Sequence, residues 1–295
     1  MRRWRILALA VLTAVASLGV VPAGPAGAAD AAAAAAAAAT SRCSGSFTLT
    51  CARHTKVLLT GALGLTPRDV HWQVPVGAPP AGGWPAVVMY SPSLYSADLA
   101  WSASRLLPAG AYYETATIKN LLDHGYAVLT PESHLAGFTF WDTNVPLLNY
   151  DVAPDRYFVD DIVAGIGNGT FGPLNRNRLF ATGMSSGGYM TSRMAVSHRG
   201  TFKALAVQSG SYANCLGPIC SVPGDLPDDH PPTLFLHGII DPIVPIATMY
   251  PYRNGLDAQG TPTRTVTSLF ATHEFLPAAP AEILAWFQRW DPGPS

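Results

Sequence analysis

The chain of 295 residues carries 18 Lys and Arg against 19 Asp and Glu, a formal net charge of −1 at pH 7. This balance excludes the basic footprint of a nucleic-acid-binding protein. Charged residues make up only 13% of the chain, against the usual quarter or so. The low fraction fits an apolar surface that adsorbs to a water-insoluble substrate, and it equally fits the compositional bias of an Ala- and Pro-rich secreted protein.

The first 28 residues have the pattern of a secretory signal peptide. Three arginines among the first five residues precede the apolar stretch Ile6–Val21, and Ala26–Ala28 reads Ala-Gly-Ala, a typical cleavage site. A membrane anchor is the alternative, but two prolines interrupt the segment. Residues 29–40 are mostly alanine and are predicted to form a disordered tether. We therefore expect an extracellular protein whose single catalytic domain spans residues 41–295, acts as a monomer and has no membrane-spanning segment.

Four cysteines in a secreted chain suggest two disulfides. Cys43 and Cys51 enclose one short loop, and Cys215 and Cys220 enclose another. Two local bridges are the simplest of the three pairings, which all remain open. The spacings do not fit a zinc site, so no metal is expected.

Strand and helix patterns alternate along the rest of the chain. Apolar runs typical of strands lie at Val70–Val74, Ala86–Tyr90, Ala127–Thr130, Leu179–Thr182, Ala204–Gln208, Thr233–Leu236 and Val266–Phe270. Helical patterns lie at Ala116–His124, Val159–Ile166, Tyr189–Val196 and Ala281–Trp290. This alternation predicts an α/β protein with a mainly parallel sheet and helices on both faces.

The long stretch Glu132–Tyr150 is rich in aromatic residues, with Phe138, Phe140 and Trp141 close together. We expect it to cross the catalytic edge of the sheet, where these three side chains would line a pocket for the acyl group. The alternative is a small satellite core beneath a loop.

The run Gly183-Met-Ser185-Ser-Gly187 matches the G-x-S-x-G pattern of a nucleophile elbow. The pentapeptide alone arises easily by chance in a Gly- and Ser-rich chain. Its setting strengthens it, because a predicted strand ends at Thr182 and a predicted helix begins at Tyr189. Ser185 is therefore the candidate nucleophile.

Candidate acid and base follow in the order that an α/β-hydrolase requires. Asp241 lies in the loop after the predicted strand Thr233–Leu236, at the edge where parallel sheets collect catalytic groups. His273 lies between the last predicted strand and the last predicted helix, where the fold needs its base. His237 is expected only to shape the loop of the acid. In this arrangement Ser185 attacks an acyl carbonyl, His273 transfers the proton, and Asp241 orients the imidazole.

Two backbone N–H groups are needed to stabilise the oxyanion. One is predicted to be that of Ser186, which directly follows the nucleophile. The other is predicted in the loop after Ala86–Tyr90, which reads Ser91-Pro92-Ser93. Because proline has no N–H, Ser93 is the candidate.

With these residues assembled, the chain resembles secreted polyhydroxyalkanoate depolymerases, in particular those of medium-chain-length polyesters such as poly(3-hydroxyoctanoate). The resemblance rests on Gly183–Met190, on His237–Pro245 and on His273, and it covers nearly all of residues 41–295. It implies hydrolysis of a water-insoluble polyester without a cofactor. Many hydrolases have His-Gly at the position of Ser91-Pro92, and this departure leaves the second oxyanion donor open.

Three alternatives remain open at this stage. A feruloyl or acetylxylan esterase shares the elbow, and the predicted pocket does not exclude it. A prolyl-oligopeptidase-like peptidase shares the Gly-x-Ser-x-Gly-Gly-Tyr run, although such enzymes usually carry a large additional domain. An inactive hydrolase fold used for binding is disfavoured by the intact order of serine, acid and histidine.

Overall fold

In the computed structural model, which describes residues 41–134, 139–144 and 149–293, eight strands form one central sheet. Three more strands form a smaller sheet, so the described residues contain eleven strands. They are β1 Cys43–Ser44, β2 Thr48–Cys51, β3 His54–Thr60, β4 Thr66–Gln73, β5 Trp84–Tyr90, β6 Ser102–Ser104, β7 Ala127–Pro131, β8 Leu174–Met184, β9 Phe202–Gln208, β10 Thr233–Gly238 and β11 Thr263–Ser268. The helices are α1 Ala111–Asp123, α2 Pro154–Gly167, α3 Ser186–Ser197, α4 Met249–Ala258 and α5 Ala279–Trp290.

The order of strands in the central sheet is β11-β10-β9-β8-β5-β7-β4-β3. Strands β7, β5, β8, β9, β10 and β11 pair in parallel, whereas β3 and β4 form an antiparallel hairpin that joins β7. The predicted mainly parallel α/β-hydrolase sheet is therefore confirmed. Because the carboxyl ends of the parallel strands meet at one edge, loops far apart in sequence come together there.

Alternating residues of β5 face two different layers of helices. Val87 and Met89 pack in a cluster with residues of α1 and α5, whereas Val88 and Tyr90 pack with residues of α2 and α3. A strand buried on both faces reads as a continuous apolar run, which is why the sequence Ala86–Tyr90 predicts it so clearly. The helices thus cover both faces of the sheet, as predicted.

A second, three-stranded antiparallel sheet has the order β1-β2-β6. Cys43 and Cys51 face each other across β1 and β2 and form a disulfide, and Cys215 and Cys220 form a second one. The structure thus forms the two local bridges of the simplest pairing.

The predicted signal peptide at 1–28, the tether at 29–40 and Phe138 lie outside the described residues. One compact unit spans Thr40–Ser295. Across the described ranges, no helix is both long and apolar enough to cross a membrane.

Candidate active site

Ser185 lies alone between the end of β8 and the start of α3, with φ 57° and ψ −119°. A positive φ at a non-glycine residue costs about 1–3 kcal/mol and persists only where the surroundings enforce it. Here the Ser185 N–H donates to the Gln208 carbonyl at 3.0 Å. A Cβ on Gly187 would lie 2.0 Å from the Tyr90 carbonyl oxygen, so the helix start can pass this strand only with glycine there. The turn therefore has the strained shape that a nucleophile elbow requires.

Asp241 is held in the tight turn that follows β10. Its Oδ1 accepts the N–H groups of Ile243 and Val244, each at 2.9 Å, and its side chain is buried. Burial alone would raise the pKa of this carboxyl, but hydrogen bonds from His237, His273 and the Val244 N–H outweigh it and hold the pKa far below its ordinary value. Asp241 is thus a fixed negative charge at neutral pH.

His273 meets this carboxylate directly, with its Nδ1 2.8 Å from Asp241 Oδ2. Its loop follows β11, which pairs in parallel with β10. A Cβ on Gly238 would lie 2.3 Å from the carbonyl oxygens of both Ala271 and Thr272. The glycine at the end of β10 therefore lets the histidine loop pack against the acid loop.

A short chain of hydrogen bonds links this pair to the serine turn. Gln208, which accepts the Ser185 N–H, donates its side-chain amide to the Glu274 carbonyl at 3.4 Å, and the Ser209 hydroxyl donates to the same oxygen at 3.4 Å. Glu274 directly follows His273. The structure thus places the histidine loop beside the turn that carries Ser185.

His237 is a buried support for the acid. Its Nε2 lies 2.8 Å from the Val244 carbonyl and 3.5 Å from Asp241 Oδ2. Because a carbonyl can only accept, Nε2 carries the proton. This bond closes the loop from the end of β10 to Val244, whose N–H in turn binds Asp241.

The two predicted oxyanion donors lie on neighbouring segments, the start of α3 and the loop after β5. Ser186 is the first residue of α3, where the helix dipole favours a negative charge. Ser93 follows β5, whose Tyr90 is paired with Gly183 of β8. The loop that carries Ser93 therefore begins beside the turn that carries Ser185.

Trp141 connects the start of α3 with the loop that follows β5. Its backbone N–H donates to Ser186 Oγ at 3.0 Å, and its indole Nε1–H donates to the Ser91 carbonyl at 2.9 Å. The ring packs edge-on against Tyr90 and is fully buried. The prediction that Trp141 lines an acyl pocket is therefore wrong, because its ring belongs to the core. Phe140, by contrast, is 44% exposed.

One cluster in the described part of the chain has side chains of the metal-ligating types, namely His134, Asp142 and Asp155. The Arg68 guanidinium pairs with Asp155 at 2.5 Å. Hydrogen bonds to Asp142 and Asp155 raise the pKa of His134 to about 9. Together these side chains form an ionic network in which the cations of Arg68 and His134 face the two carboxylates.

Comparison with known proteins places the chain among ester hydrolases. It is 48% identical over 242 residues to a poly(3-hydroxyoctanoate) depolymerase of Pseudomonas fluorescens, and this covers 81% of the chain and 85% of that protein. The chain belongs to the poly(3-hydroxyoctanoate) depolymerase family. As a member of this family it is a carboxylic ester hydrolase. No protein-family profile matches the chain.

Solved structures show that the chain shares its fold with other hydrolases. A putative dienelactone hydrolase of Klebsiella pneumoniae is 19% identical, with a TM-score of 0.56 over 81% of this chain and 100% of that one. An acetyl xylan esterase of Paenibacillus sp. R4 is 14% identical, with a TM-score of 0.57 over 81% of this chain and 89% of that one. An acylaminoacyl peptidase of Pyrococcus horikoshii is 12% identical, with a TM-score of 0.57 over 81% of this chain and 42% of that one. At these identities the likeness concerns the fold alone.

The sequence does not indicate which residues brace the site. Gln208 and Trp141 each connect two segments of the site, a role that nothing in their local sequence indicates. Glu132 could have been singled out from the sequence, because it is a carboxylate directly after the apolar strand β7. It accepts the N–H of Ala97 at 3.0 Å and so anchors the chain segment that follows the Ser93 loop.

Proposed function

We propose that this depolymerase is a secreted serine esterase that hydrolyses medium-chain-length polyhydroxyalkanoates through Ser185, His273 and Asp241. The observation that carries the proposal is the 2.8 Å contact between His273 Nδ1 and Asp241 Oδ2 at the edge of the sheet where Ser185 sits in a strained turn. Such a pairing gives the imidazole the tautomer that a general base needs. Because Nδ1 faces the carboxylate, Nε2 is left as the proton acceptor.

The reaction proceeds in two steps. Ser185 Oγ attacks the ester carbonyl carbon, and its proton passes to His273 Nε2. The tetrahedral intermediate collapses, the departing hydroxyl end of the polymer takes that proton, and the acyl group stays on Ser185. Water then attacks the acyl-enzyme, and His273 Nε2 takes its proton. The bond between the acyl carbon and Ser185 Oγ breaks, Oγ takes the proton from Nε2, and the carboxylic acid is released. The fixed charge of Asp241 stabilises the imidazolium in both steps.

The oxyanion of each intermediate is assigned to the backbone N–H groups of Ser186 and Ser93. Each such donor typically contributes about 2.7–4 kcal/mol to the transition state. Support comes from the position of Ser186 at the N-terminus of α3 and from the place of the Ser93 loop beside the elbow.

The substrate class is inferred from the relative, a poly(3-hydroxyoctanoate) depolymerase, at 48% identity. Secretion is inferred from the pattern of residues 1–28 and is supported by two disulfides, which persist in oxidising compartments. An extracellular location suits a polymer that is too large to enter a cell.

Two substrate series test the proposal. Latex of poly(3-hydroxyoctanoate) should clear faster than latex of poly(3-hydroxybutyrate), with a Ser185→Ala variant as the inactive control. On p-nitrophenyl esters the rate should rise from acetate to octanoate by at most roughly a few-fold per carbon, because each buried methylene contributes about 0.8 kcal/mol. An enzyme that is fastest on acetyl esters and inert on poly(3-hydroxyoctanoate) would favour a carbohydrate esterase. Cleavage of peptide anilides without ester preference would favour a peptidase.

A further inference from the structure

Large apolar side chains are exposed on the two loops that carry Asp241 and His273. Ile240 is 55% exposed and Ile243 56% in the acid loop, and Leu269 is 66% and Phe270 87% exposed in the histidine loop. None of these four side chains belongs to a core cluster. Large apolar side chains that are exposed close together usually mark an interaction site.

The strand register places these residues side by side. Gly238 at the end of β10 is paired with Ser268 at the end of β11, and the Ile239 N–H donates to the Ser268 carbonyl at 2.9 Å. The residues that follow these two positions therefore leave the sheet together. Ile240 and Phe270 each come two residues after the paired positions.

The disulfide loop Cys215–Cys220 extends this surface on the side of the acid loop. A Cβ on Gly217 would lie 3.1 Å from the Ile243 carbonyl oxygen, so the two loops are in contact. Leu216 and Ile219 pair through two backbone hydrogen bonds, and Ile219 is 70% exposed. We call the five residues Ile219, Ile240, Ile243, Leu269 and Phe270 the apolar rim.

The apolar rim carries no exposed charge of its own. In the segments 215–220, 239–244 and 267–273 the ionisable side chains are Asp241 and His273, apart from the disulfide cysteines. Both are turned toward each other, with side chains 0% and 12% exposed. A face of this composition offers a charged partner no exposed charge to pair with.

We propose that the apolar rim is the surface by which this enzyme adsorbs to solid polyester. The inference rests on the proposed function, because the occupant is an uncharged polymer whose alkyl side chains cover its surface. The position of the rim argues for this occupant, since its residues lie within four positions of Asp241 or His273 in the chain, apart from Ile219. Adsorption there would hold a polymer strand against the acid–base pair.

Adsorption is measured in the Ser185→Ala background, so that binding is scored without hydrolysis. The test variant adds Leu269→Ser and Phe270→Ser, and its depletion from solution by poly(3-hydroxyoctanoate) latex is compared with that of Ser185→Ala alone. The matched control adds Leu63→Ser and Leu65→Ser, which are 83% and 73% exposed beside the β3–β4 hairpin at the far edge of the sheet. We expect the adsorption constant to fall by about tenfold in the test variant, since two large apolar side chains are lost from the contact, and to stay unchanged in the control.

The same substitutions in the active enzyme separate adsorption from chemistry. The rate on latex divided by the rate on soluble p-nitrophenyl butyrate should fall by about fivefold or more in the rim variant and stay constant in the control. Unchanged adsorption of the rim variant would overturn the proposal, as would equal losses in the rim and control variants. A wild-type dimer in light scattering that the rim substitutions dissociate would instead assign the rim to a second copy of the chain. If the wild type adsorbs through the rim but never clears the latex, the proposed substrate fails while the adsorption surface stands.

Discussion

Replacing Asp241 by Asn should abolish most activity while leaving the site in place. The Asn Oδ1 can still accept the N–H groups of Ile243 and Val244, which Asp241 accepts at 2.9 Å each. The side-chain NH2 group of the Asn, however, directs an N–H toward His273 Nδ1. In the wild type, Asp241 Oδ2 occupies this place, 2.8 Å from Nδ1. The imidazole must then carry its proton on Nε2, which can no longer accept the proton of Ser185.

A wrong tautomer of this kind lowers kcat by a factor of about 10⁴ in a serine hydrolase triad. At 1.36 kcal/mol per tenfold in rate, this corresponds to about 5.5 kcal/mol of transition-state stabilisation. KM should change little, because the acid does not contact the substrate. The free energy of unfolding should fall by about 1.5–3 kcal/mol at neutral pH, the cost of one charge-assisted hydrogen bond.

The assay is steady-state hydrolysis of p-nitrophenyl octanoate by Asp241→Asn, His273→Ala and the double variant, with thermal unfolding as the control for folding. Triad members act as a unit, so the double variant should be hardly slower than the slower single variant. Multiplicative losses in the double variant would refute the reasoning, because they would show two independent contributions. A loss in Asp241→Asn of less than about tenfold would refute it as well.

Three further predictions follow from the same contacts. Ser185→Ala should abolish hydrolysis in a folded protein, whereas Ser186→Ala should keep substantial activity although it loses the 3.0 Å bond from the Trp141 N–H; the reverse pattern in ester kinetics would overturn the elbow assignment. Trp141→Phe should leave the Ser91 carbonyl without its 2.9 Å indole donor and lower kcat about tenfold, more than it raises KM, because an unsatisfied buried acceptor costs about 1–3 kcal/mol. A change confined to the thermal stability of that variant would mean that Trp141 does not position the loops. Because the pKa of His134 is raised to about 9, its charge should stabilise the fold fully below pH 6.5 and lose that effect as the pH rises through 9. Denaturant unfolding should then show His134→Gln less stable than wild type by about 1–2 kcal/mol at pH 6, since a partly exposed pair is screened, and equal to it at pH 10; a difference that persists at pH 10 would contradict this.

The sequence predicts the buried core of the fold well and its edges poorly. Strands such as β5 and β9 are buried on both faces, so each appears as an unbroken apolar run. Strand β3 is exposed along most of its length and has no apolar alternation, so no pattern indicates it. Helix α4 was missed because Pro251 and Gly255 interrupt its pattern.

Exposure also explains the errors at the ends of elements. The apolar residues Leu269 and Phe270 predict a last strand that runs to Phe270, yet the strand ends at Ser268 and both side chains are exposed. In the site, G-x-S-x-G and the order of acid and histidine single out Ser185, Asp241 and His273 as candidates. Sequence alone cannot show that the last two meet across 32 residues, nor that Trp141 is buried between two loops, because both facts depend on the packing of distant segments.

The central claim, that Ser185 is the nucleophile of this depolymerase, is tested most directly by covalent trapping. The wild-type enzyme would be treated with an alkyl fluorophosphonate, and the modified residue identified by mass spectrometry of its peptides. We predict a single phosphonylated residue at Ser185, formed far more slowly in His273→Ala because the hydroxyl then lacks its base. A label on any other residue, or equal rates of labelling in the wild type and His273→Ala, would contradict the mechanism.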